Sequence, residues 1–388
     1  MGTTLAFIPD TSPVRNISNK TRTTKAMSRL IVPAILLFFA ATTAVTSAAQ
    51  TQTKANSTFG LEPLWATQVD PRWRPGDSVG DVEDGITAEF VEFSADGKLL
   101  ITGNGLGEAF VLNASNGAVE QRFSYITEQD LAGRTEFDIS GGKTKGMEVE
   151  CGAFTPDGRF VVLGGNLNGV KVFDLRNGSL VRHIKVAEEV DGLGISPDGR
   201  FFAHAAPMSA QVYHLPHWNP VASVRHGDKE GVTNSIDFTP DAGLMVSAGN
   251  YGHVILTRTP DWRQVGDGLI PKTSSIKSVR FSPDTRLVAA GYGGADCAAV
   301  YRTKDMSLLK HLPLFYIEAV AWTSDGRFLM AGGRDEQGCI RVFRMSDWQL
   351  AGAPKVQADR SNIEYIDVHG ERVAVAGEDA HVRLYRVQ

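Results

Sequence analysis

The 388-residue chain is short of the features that mark most common enzyme and nucleic-acid-binding classes. It has three cysteines, Cys151, Cys297 and Cys339, an odd and low number that does not describe a disulfide framework. Cys297 and Cys339 fall at like places in neighbouring repeats, too far apart to be bridged, so all three read as buried thiols. Positive charge is not in excess: 39 Lys and Arg stand against 44 Asp and Glu, a formal net of −5. Such a surface cannot neutralise a phosphate backbone, which excludes nucleic acid as a partner. No apolar run reaches the roughly 20 residues of a membrane-spanning helix. No Gly-x-Ser-x-Gly elbow precedes a helix, and helical patterning is scarce throughout. Ser140-Gly141-Gly142-Lys143-Thr144 echoes a phosphate loop, but Phe137 stands where the first glycine belongs. The histidines are scattered. His204, His214 and His217 lie near one hairpin and read as solvated turn residues rather than metal ligands.

What is present at the amino terminus is an export pattern. Lys20, Arg22, Lys25 and Arg29 precede the apolar core Leu30 to Ala41, and Ser47-Ala48-Ala49 offers a small-residue cleavage site before Gln50. Residues 1–49 are therefore expected to be an N-terminal extension and signal peptide, and residues 50–60 a linker. The expected location is secreted or periplasmic, with no membrane contact beyond the signal segment.

The rest is repetitive. Phe93-Ser94-Ala95-Asp96-Gly97 returns as Phe154-Thr155-Pro156-Asp157-Gly158 and Ile195-Ser196-Pro197-Asp198-Gly199. It then returns as Phe238-Thr239-Pro240-Asp241, Phe281-Ser282-Pro283-Asp284 and Trp322-Thr323-Ser324-Asp325-Gly326, with a worn seventh copy at Ile366-Asp367-Val368-His369-Gly370. The steps are 61, 41, 43, 43, 41 and 44 residues, and all but the first match the length of a propeller blade. Within a repeat the phrase is turn chemistry: Pro fixes φ, Asp bonds local backbone and Gly accepts positive φ. Short apolar runs flank it, an alternating strand such as Val170 to Phe173 follows, and Asn177-Gly178 reads as a tight hairpin turn before Ser179 to Ile184. Four antiparallel strands per repeat make one blade. The fold expected for 61–388 is all-β: a seven-bladed β-propeller of four-stranded antiparallel blades, monomeric. The last repeat stops at its third strand, so Leu64 to Val69 is expected to close the ring as its fourth, removing an exposed strand edge.

The repeats resemble the WD-repeat family in a divergent, bacterial form. Ala376-Gly377-Glu378-Asp379-Ala380-His381-Val382-Arg383-Leu384-Tyr385 is similar to that family's third-strand signature. Asp296, Asp335 and Asp379 match its structural aspartate. The opening Gly-His pair is missing, and pairs such as Phe173-Asp174 and Tyr385-Arg386 replace the closing Trp-Asp.

Two features locate a candidate site. The long first step inserts residues 124–147 between two blades, on the face where the inner strands begin, and long loops on rigid scaffolds carry binding. Four residues before each landmark Phe, Ile or Trp stand Glu89, Glu150, Asp191, Asn234, Lys277, Glu318 and Asn362. These are expected to ring the axial channel mouth, at a position that the resemblance marks as an interaction site. The set suits a cation, a basic peptide or a polar small molecule. The chain is thus expected to be a binding or scaffold protein for a protein, peptide or polar small molecule, with no cofactor and no identified catalytic residue. The alternative is an exported propeller enzyme of lactonase, hydrolase or lyase type. It would hold Ca²⁺ among Glu89, Glu150, Asp191, Asn234, Glu318 and Asn362, against the repulsion of Lys277. Trp262 and Trp348 read as packing residues in turns of the opposite face.

Overall fold

Turn-flanked apolar runs of five or six residues can bury both faces only between neighbouring sheets, and the chain folds accordingly. The computed structural model describes residues 59–74, 86–127, 130, 147–167, 169–186, 189–226, 232–250, 252–270, 275–293, 298–357 and 361–388. The expected signal segment, most of the insert, the phosphate-loop echo, Asp296 and Cys297 lie outside them. Among the described residues no helix is long and apolar enough to cross a membrane.

Among the described residues, twenty-eight strands form seven four-stranded antiparallel sheets. The innermost strands, leading blades 1 to 7 in order, are β2 (Ala88–Phe93), β6 (Cys151–Phe154), β10 (Leu193–Ile195), β14 (Thr233–Phe238), β18 (Ile276–Phe281), β22 (Ile317–Trp322) and β26 (Ile363–His369). In six blades the four strands are consecutive. In blade 7, β26 and β27 (Arg372–Gly377) are followed by β28 (His381–Val387), and the fourth strand is β1 (Leu61–Gln68), paired with β28. The ring closes as expected, by a strand starting three residues earlier than Leu64.

The seam between blades 7 and 1 is bonded at both radii. Outside, Trp65 Nε1 donates to Ala114 O at 3.2 Å and Thr67 Oγ1 to Gly117 O at 2.7 Å. Inside, Phe93 N donates to Asp367 Oδ2 at 2.7 Å. Between them Val91, Leu100 and Leu112 of blade 1 pack in one buried cluster with Ala374, Val382 and Leu384 of blade 7.

The repeated phrase closes the turn after the inner strand of blades 1 to 6. In blade 5, Ser282 Oγ donates to Asp284 Oδ1 at 2.7 Å, Arg286 N donates to the same oxygen at 3.1 Å, and Leu287 N donates back to Ser282 Oγ at 3.0 Å. The Asn177-Gly178 turn departs from expectation. Asp174 and Ser179 are its closing pair, with Gly178 at φ 71°, so four residues rather than two turn the chain. The Asp174 carboxylate takes up the extra length by accepting from Arg176 N at 3.0 Å.

Cys151 is a buried thiol whose Sγ donates to Val190 O at 3.1 Å, and Cys339 is buried as well. His204 is not solvated as expected. It is buried, bonded through Nδ1 to Ala205 O at 2.6 Å and stacked on Tyr213. Its place inside the second strand of blade 3, between the Phe202 and Tyr213 rings, removes it from water.

Candidate functional site

A β-bulge sets the ring residue in five of the seven blades. Five inner strands shift register within their first residues, at Ala88/Val91, Thr233/Ser235, Ile276/Ser278, Ile317/Ala319 and Ile363/Tyr365. The residues set in those shifts include Glu89, Asn234, Lys277, Glu318 and Glu364. An extra residue in one strand leaves the ladder and turns its side chain outward, here toward the axis. In blades 2 and 3 the ladder begins just after the corresponding residues, Glu150 and Asp191.

The result is a central cavity of about 250 Å³ lined from all seven blades. Six of the seven expected ring residues line it: Glu89, Glu150, Asp191, Asn234, Lys277 and Glu318. Asn362 does not, and Glu364 stands in its place. Blade 7 has lost the Pro-Asp turn: His369 pairs directly with Arg372, and Gly370-Glu371 makes a two-residue hairpin. Val368, not Ile366, therefore occupies the landmark position, and the ring residue moves by two. Asn362 is buried one layer out, where its Nδ2 donates to Glu364 Oε1 at 2.7 Å.

The other residues divide by role. Asn234 braces the scaffold: its Nδ2 donates to Ile276 O at 2.8 Å and to Ser275 Oγ at 3.0 Å. Lys277 Nζ stands 3.7 Å from Glu318 Oε2. Besides Glu364, three charged lining groups were not anticipated: Glu92, Glu189 and Arg280. Glu92 and Arg280 directly precede their landmark residues, where Asp237 and Asp367 also fall. That second polar position in an inner strand was the available signal.

Arg280 forms the floor. Its guanidinium donates to Ser235 Oγ at 3.3 Å and to Val279 O at 2.8 Å, and reaches the Tyr365 hydroxyl of blade 7. It also lines a second cavity of about 260 Å³ below, beside Trp322, Ile366 and Asp367. Arg280 thus lines both cavities and ties blade 5 to blades 4 and 7.

Seven carboxyl groups line the upper cavity against two cations. Burial removes water from Glu89, Glu92, Glu150, Asp191 and Glu364, and neighbouring carboxylates repel them, so these five hold their protons longer. Burial, then Glu148, pushes Glu150 up to about 8. Burial, then Asp367, pushes Glu92 up to about 8. Asp191 rises to about 6, by burial and then Glu189. Glu89 and Glu364 are also raised, by burial first and by neighbouring carboxylates second. Chemically this is a site whose crowded acidic groups would give up their protons more readily once a cationic group entered. No three His, Cys, Asp or Glu side chains among the described residues are grouped so as to hold a metal ion. The insert is anchored at its start: Lys171 Nζ donates to Tyr125 O at 2.5 Å and to Asp130 Oδ2 at 2.6 Å.

No family model matches the chain, and no curated protein matches it significantly. The fold is that of a seven-bladed β-propeller, consistent with a propeller repeat family.

Proposed function

We propose that this chain is an exported propeller of WD-repeat type that acts by binding, holding a positively charged partner at its central cavity. Export rests on the basic stretch, apolar core and small-residue site of residues 20–49. The binding reading rests on one observation, the seven carboxyl groups facing two cations in a single cavity lined where the inner strands begin. Buried charge without compensation costs several kcal/mol per ion, and a scaffold whose role was structural alone would gain by replacing these side chains with apolar ones. The excess is useful when a ligand supplies the missing charge. No nucleophile with a paired base stands in the cavity among the described residues, so the reading is a binding protein rather than an enzyme.

A thermal-shift series tests this. Arginine amide and 1,4-diaminobutane should raise the melting temperature, since a ligand that binds only the folded state at about 100 times Kd adds about 2.7 kcal/mol. Citrulline amide and citrate should not raise it, and Glu150→Gln should weaken the cation effect. Equal shifts with charged and uncharged compounds would end this reading. Export has its own check: N-terminal sequencing of the mature protein should find Gln50 first.

A further inference from the structure

We infer that the partner is a segment of another protein in which a basic side chain lies next to an apolar one, the basic group entering the cavity and the apolar group covering Phe315. The inference rests on the cation reading of the cavity and narrows it. Two independent observations carry it.

The first is Glu318. Its side chain is only 10% exposed, and its one ion pair, with Lys277 Nζ, spans 3.7 Å, beyond hydrogen-bond reach. It lines the cavity and, among the described residues, accepts no hydrogen bond. A buried carboxylate without a donor is costly, and an entering ammonium or guanidinium supplies one at short range. The cavity, at about 250 Å³, lies below the roughly 300–1,000 Å³ of small-molecule sites and accommodates one long side chain.

The second is Phe315, which is 68% exposed. It lies on the same face, between β21 (Leu308–Leu312) and β22, three residues before Glu318. The next residue, Tyr316, is fixed: its φ is 52° and the Arg334 guanidinium sits 4.6 Å over its ring. Phe315 is therefore displayed from a held backbone, three residues along the chain from a residue that lines the acidic cavity. Exposed aromatics beside a polar site are typical anchors of protein interfaces. A lone small cation would satisfy Glu318 and leave Phe315 in water. An apolar surface would cover Phe315 and leave the carboxylates unmet. A segment with both groups answers both.

The test is fluorescence anisotropy on the full chain. The probe is a pool of heptapeptides with a fixed central Leu-Arg-Leu and degenerate flanks. Replacing Arg by citrulline should weaken binding at least tenfold. Replacing both Leu by Ser should weaken it about fivefold, and Phe315→Ala should do the same to the Leu pool while leaving the Ser pool unchanged. Glu318→Gln, isosteric and checked by its melting curve, should reduce binding of both Arg pools. If arginine amide binds as tightly as the pool and Phe315→Ala changes neither, the protein-segment inference falls while the cation reading stands. If neither arginine amide nor the pool binds, both fall.

Discussion

Lys171 places an ammonium group inside blade 2 with only 3% of its side chain exposed. It is tolerated because Asp130 Oδ2, 2.6 Å away, and the Tyr125 carbonyl compensate it. Both partners come from the start of the insert, so one charge pair fastens that loop to the scaffold. Breaking a buried pair from one side strands the other charge. Asp130→Ala should therefore lose about 3 kcal/mol in urea unfolding, and Asp130→Ala with Lys171→Met should recover part of it. A single variant as stable as the parent would show that the pair carries no load. The same scale explains the tryptophans. Trp218, Trp262 and Trp348 have φ between 54° and 61°, at turns where blades 1 and 2 have Gly117 and Gly178. A left-handed residue there is ordinarily glycine. Trp262 instead sets its ring edge-on, 4.9 Å from Phe201 of the neighbouring blade, so its packing offsets the strain. The packing role of Trp262 and Trp348 was readable in the sequence. Their conformation was not, because no local residue preference predicts a left-handed tryptophan.

At the level of strands, the ring depends on β1. It makes seven residue pairs with β28 and two side-chain bonds to blade 1. A chain beginning at Phe59 should fold. One beginning at Val69 leaves the β28 edge open to another molecule. Size-exclusion chromatography should then show oligomers or aggregate, with a melting temperature several degrees lower; a monomer of unchanged stability would refute closure by β1. This strand was legible because a four-strand count per repeat left one strand owing and one unassigned. The blade count and turn chemistry were legible for the same reason, the phrase returning about every 42 residues. The ring residues were legible wherever the landmark survived. Glu364 was missed because blade 7 keeps the fold while dropping the turn that sets the count. The bulges were not legible at all, since an extra residue in a strand has no signature in one sequence.

Across the whole molecule, ring closure converts seven separate strand ends into one charged cavity, and stability should register that. The unfolded chain releases its carboxyl protons near pH 4, whereas Glu92 and Glu150 are held up to about 8, chiefly by burial. Between those values the folded state binds more protons than the unfolded state, so stability is lost as pH rises. His226 acts with the opposite sign: burial, then His253, pushes it down to about 4, so its contribution is lost as pH falls below about 6.5. Above 6.5 it is neutral in both states and drops out. The window from pH 6.5 to 8 therefore isolates the cavity. Two carboxyls held at about 8 imply a fall of roughly 2–3 kcal/mol across it, or several degrees in melting temperature. Scanning calorimetry in 0.1 M salt should show that decline, and Glu150→Gln should flatten it by about half while raising stability at pH 8. A bound cation should flatten it too, since a compensated carboxylate no longer needs its proton. A flat profile in the parent, or a slope untouched by Glu150→Gln, would mean that these carboxyls are hydrated and ionise in their ordinary range, so that burial in the cavity does not hold their protons.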